Sequence, residues 1–124
     1  MKTCVPESEH HLALQRWEGG QAKVWLYHVS LRRLAIRVQT AAHDEALFLV
    51  ATGCERITGP FVWGNACLRV SKGKDPATGE GYCVIADRAV GFELRCSTVS
   101  LATGSPYEVD ASFDDFLGVQ RGTE

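Results

Sequence analysis

The sequence predicts a mainly β fold: one antiparallel domain over residues 1–124, a sandwich or small barrel, with one short C-terminal helix. Three observations carry this reading. Two stretches alternate cleanly between apolar and polar residues, as half-buried strands do. Glycine- and proline-bearing turn signals recur between short apolar runs, which points to about seven or eight short strands. A chain of 124 residues with 45% hydrophobic content can build a single core without covalent staples.

Taken in order, residues 12–17 alternate weakly, with Leu12 and Leu14 on one side and Gln15 on the other. Glu18-Gly19-Gly20-Gln21 reads as a turn, because paired glycines reach positive φ without steric penalty. Val24 to Val29 is rich in β-branched and aromatic residues, so an N-terminal hairpin is expected. The strand at 33–39 places Leu34, Ile36 and Val38 opposite Arg33, Arg37 and Gln39. Val29 and Leu31 have the other parity, so a turn or bulge is expected around Ser30–Arg33. Ala46–Ala51 is short and continuously apolar, as in a strand covered on both faces.

Beyond it, Phe61-Val62-Trp63 is a short aromatic segment between glycine-bearing turns. Residues 66–71 and 81–87 read as strands joined by a mobile loop, Lys72 to Glu80, rich in charge, glycine and proline. Val90, Phe92, Leu94 and Cys96 share one face of the second clear strand. Val99 and Leu101 then switch parity, which calls for a bend or bulge at Ser97-Thr98. In the tail, Phe113, Phe116 and Leu117 stand at i, i+3 and i+4, with Ser112 as N-cap and Gly118 as stop. That pattern predicts a helical turn docked on the sheet.

Charge and cysteine content narrow the function classes. A formal charge of -2 gives no global attraction to nucleic acid or anionic lipid, although Arg32, Arg33 and Arg37 form a local basic group. No apolar stretch approaches the ~20 residues that span a bilayer, and no secretory pattern opens the chain, so a soluble cytoplasmic protein is expected. Five cysteines cannot all pair within one chain, and reduced thiols are expected.

Catalytic vocabulary is sparse. Cys54, Cys67, Cys83 and Cys96 lack the Cys-x-x-Cys knuckle of a zinc site, and Cys67 falls on the side of Arg69, so no metal and no cofactor is expected. His10 and His11, as neighbours in an extended strand, face opposite ways. No nucleophile elbow, phosphate loop or dinucleotide fingerprint is present.

Aromatic residues remain. Trp25 and Tyr27 share a parity opposite Val24 and Leu26, and Phe61 and Trp63 form a second pair. Tryptophan and tyrosine are enriched at binding hot spots, but large aromatics are more often core. The sequence therefore favours a non-enzymatic binding or interaction module with a protein partner or a homodimer through a sheet edge, and candidate binding residues Trp25, Tyr27, Phe61, Trp63, Arg32, Arg33 and Arg37. One rival is a small-ligand carrier whose interior is lined by Trp25, Tyr27, Trp63 and Phe92. Another is an enzyme using His28 or His43 with a nearby carboxylate.

Overall fold

In a computed structural model that describes residues 3–29 and 32–106, the chain forms two antiparallel sheets packed as a sandwich. The strands are β1 (Thr3–Val5), β2 (Gln21–His28), β3 (Arg33–Gln39), β4 (Ala46–Thr52), β5 (Arg56–Thr58), β6 (Val62–Trp63), β7 (Arg69–Lys74), β8 (Gly81–Asp87), β9 (Phe92–Cys96) and β10 (Thr98–Gly104). One sheet runs β1-β10-β4-β3-β2-β6 and the other β5-β9-β8-β7. The expected C-terminal helix at 112–118 lies outside the described residues.

One core joins the sheets. Leu34, Ile36, Leu47, Leu49 and Leu101 of the larger sheet meet Ile85, Phe92 and Leu94 of the smaller, all nearly or fully out of water. The alternation at 33–39 and 92–96 is what turns these side chains inward. The parity switch after Cys96 has a topological meaning: at Ser97 the chain leaves the smaller sheet and enters the larger one. The Ser97 amide donates to Thr52 O at 2.9 Å, pinning the crossing to the end of β4.

Two expectations are corrected. Residues 12–17 do not form a hairpin strand; His10–Arg16 is an α-helix, α1, preceded by a 3-10 turn at Glu7–Glu9. Ala13, Leu14 and Trp17 are buried while Leu12 is 51% exposed, a helical spacing that period-two reading of Leu12 and Leu14 missed. His10 and His11 thus lie on a helix. The strand at 81–87 lies where expected, but the one expected at 66–71 runs instead at 69–74, with Lys74 opposite Gly81, so the connecting loop is only 75–80. Asp75 closes it, its amide donating to Glu80 O and its Oδ1 accepting from the Ala77 amide.

Two local devices set the geometry of the larger sheet. Gly20 lies so close to Gln39 O that a Cβ there would collide with backbone, which explains a glycine where α1 turns into β2. Within β2, Val24 pairs with Ile36 but Leu26 pairs with Ala35, leaving Trp25 as the extra residue of a β-bulge. The expected shared parity of Val24 and Leu26 is therefore broken: Val24 joins the inner core, whereas Trp25 and Leu26 pack on a separate cluster outside it.

Candidate functional site: a cleft between two sheet edges

The sandwich opens where β1, an edge of the larger sheet, approaches β7, an edge of the smaller. Between them is an open cleft of about 860 Å³. Val5 and Pro6 on one side, Val99 at the floor and Cys83 opposite give it apolar walls. Its polar groups come from β7 and the N-terminal turn. Because Val70, Lys72 and Lys74 pair with Ile85, Cys83 and Gly81, and Ile85 and Cys83 are buried, Lys72 and Lys74 sit on the inward side of their strand. Inward charge on an edge strand also discourages strand addition by other chains.

Across the mouth, Lys72 Nζ donates to Glu7 Oε2 in an ion pair. That hydrogen bond, and then the charge behind it, holds the Glu7 carboxyl below its ordinary value and the Lys72 ammonium above its own. His10 also lines the cleft, its Nε2 donating to Val5 O at 3.2 Å. No ion pair is recorded for Lys74 among the described residues.

A histidine, a carboxylate and a thiol thus share one cleft, yet each of the first two is held by another group: His10 by a backbone carbonyl, Glu7 by a lysine. Nucleophilic catalysis needs the base bonded to the nucleophile, whereas among the described residues His10 bonds to Val5 O and Glu7 to Lys72. Among the described residues no group of three or more His, Cys, Asp or Glu is placed to hold a metal ion. Of the thiols, Cys83 and Cys96 are buried in the core, Cys54 and Cys67 are partly buried, and Cys4 is exposed on β1. Cys83 and Cys96 face each other across β8 and β9, and burial pushes Cys96 up to about 12 and Cys54 up to about 11.

The residues singled out from sequence are scattered. Trp63 is buried, tilted against Phe92 with ring centroids 4.6 Å apart. Trp25 lies on the outer side of the larger sheet, where the Arg37 guanidinium stacks 3.9 Å from its ring centre. Arg37 is itself buried rather than part of a solvated face, while Arg33 is half-buried and Arg32 exposed with φ 51°. Tyr27 and Phe61 are exposed at 54% and 66%. Trp25, Tyr27, Trp63 and Phe92 therefore do not line one interior. His43 stacks on Trp17 at 4.4 Å with Nε2 donating to Arg16 O, and His28 ends β2 at the surface.

Sequence reading missed the cleft, whose walls come from β1, the N-terminal turn, α1, β7, β8 and β10. The one available signal was the shared parity of Lys72 and Lys74 with apolar Val70. None of the described helices is long and apolar enough to cross a membrane. No family model, no curated protein and no solved structure matches the chain.

Proposed function

We propose that this chain is a non-enzymatic binding module that takes its ligand in the cleft between the β1 and β7 edges. The observation that carries the reading is the cleft itself: about 860 Å³, within the range of sites that hold small molecules. Apolar walls favour an apolar body, and Lys74, facing inward, favours an anionic group beside it. The partnered states of His10 and Glu7 support binding over catalysis.

The test uses anilinonaphthalene sulfonate, an aromatic anion, titrated by fluorescence against the folded chain. Val99→Trp, which fills the floor, and Lys74→Glu, which reverses the charge, are each expected to weaken binding by about tenfold or more, the worth of one good contact. Circular dichroism confirms that the variants are folded. Unchanged binding by both folded variants would remove the cleft as the site.

A further inference from the structure

The larger sheet carries a second apolar cluster on the side turned away from the smaller sheet. Ala35, Ala46, Phe48 and Val50 are at most 2% exposed there, with Trp25 and Leu26 packed on them. Their neighbours in the strands, Ala102 and Gly104, are small, so Phe48 stands on a flat floor. A sheet face with a fully dry phenylalanine needs a cover. The smaller sheet does not supply it, since its buried residues belong to the inner core. Nor does α1, whose buried residues are also in that core, and the two 3-10 turns bury nothing.

The described chain ends on this same face. Arg37 Nη1 donates to Pro106 O at 2.7 Å, beside Phe48, its partner across β3 and β4. Eighteen residues follow Pro106, and their chemistry complements what they would meet. They contain five acidic residues (Glu108, Asp110, Asp114, Asp115, Glu124) against one basic, Arg121, a net charge of -4 where the whole chain has -2. The rest of the chain is therefore +2, and Lys23, Arg33 and Arg37 all lie on the outer face. Arg33 Nε is buried there with no hydrogen-bond partner among the described residues. Phe113, Phe116 and Leu117 share one helical face. From Pro106 to Phe113, the six intervening residues reach about 20 Å when extended, ample for a target adjacent to Arg37.

We propose that the outer face of the six-stranded sheet is a docking surface for the chain's own acidic, aromatic C-terminal segment, residues 107–124, with Phe113, Phe116 and Leu117 seated over Phe48, Val50 and Trp25. Trp25, Arg33 and Arg37 then act as an intramolecular anchor. The cleft opens at another side of the sandwich, so this inference does not rest on the binding proposal.

Full-length chain bearing the photoreactive substitution Phe116→benzoylphenylalanine is irradiated at low concentration and its crosslinks mapped. Crosslinks are expected within the same chain, to peptides spanning 23–50. As an independent measurement, hydrogen exchange of the unsubstituted chain is expected to be slowed by about tenfold or more at 113–118, because an undocked helical turn has almost no protection of its own. Crosslinks between two chains would give the face to a second copy and overturn the proposal. Crosslinks elsewhere on the chain, or unprotected amides at 113–118, would overturn it as well.

Discussion

Trp63 Nε1 donates a 2.8 Å hydrogen bond to Oδ2 of Asp87, tying the edge strand β6 to the end of β8 inside the core. The same oxygen accepts from the Cys67 amide at 2.8 Å, and Oδ1 accepts from the Ala89 amide, capping the 3-10 turn at Arg88–Val90. A carboxylate only 1% exposed is tolerable because donors from three segments converge on it.

Removing one donor should therefore be milder than removing the acceptor. Trp63→Phe is expected to lower unfolding free energy by about 1–3 kcal/mol, the usual worth of a hydrogen bond to a buried charged group. Asp87→Ala leaves the partners of all three bonds unpaired and should cost more, at least about 3 kcal/mol. Urea titration of both variants checks the order. A Trp63→Phe chain as stable as the parent would mean that the bond holds nothing together.

The helix α1 makes a second, discriminating case. In a strand, Leu12 and Leu14 would share a face and matter equally. On the helix they point apart, and only Leu14 is buried. Leu14→Ala is expected to cost about 2–5 kcal/mol, and Leu12→Ala to stay within about 0.5 kcal/mol. Equal losses in urea titration would restore the strand reading.

That error shows where sequence is informative. The strand at 33–39 and most of the one expected at 90–96 were legible because one face is buried against the other sheet, which forces strict alternation, although Val90 falls in the 3-10 turn before β9. The crossing at Ser97 was legible for the same reason, as a change of buried face. At 10–16 the apolar set is too small to separate period two from period 3.6, and the deciding fact, Trp17 inserting beside Ala13 and Leu14, is tertiary. The bulge at Trp25 left no mark, since Val24, Leu26 and Tyr27 beside it are all apolar or aromatic. The cleft was illegible because it is assembled from edges distant in sequence. Lys72 and Lys74 read as loop charges until their pairing with Cys83 and Gly81 placed them inward.

The buried thiols give a prediction about pH. Burial is the first cause of the raised Cys96 value of about 12, followed by the neighbouring Cys54 and Cys83. A thiol in the unfolded chain ionises near its ordinary value of 9.0. Below that pH both states carry the proton, and its contribution to stability is fully present. Above it the unfolded chain releases the proton while the folded chain retains it, so stability falls as pH rises. The decline runs from about 9 towards 12 for Cys96, at up to about 1.4 kcal/mol per pH unit for one group. Cys54, raised to about 11 for the same first reason, adds to the loss over the lower part of that window. Tyrosines and lysines also titrate there, so the parent chain alone does not isolate the effect. Cys96→Ala does. It should be less stable than the parent at pH 7, because it leaves a small cavity, but it lacks this particular loss. The gap between the two urea midpoints is expected to be constant from pH 6 to 8 and to narrow steadily above about pH 9. Curves that stay parallel to pH 10.5 would mean that the Cys96 thiol ionises as readily in the folded chain as in the unfolded one.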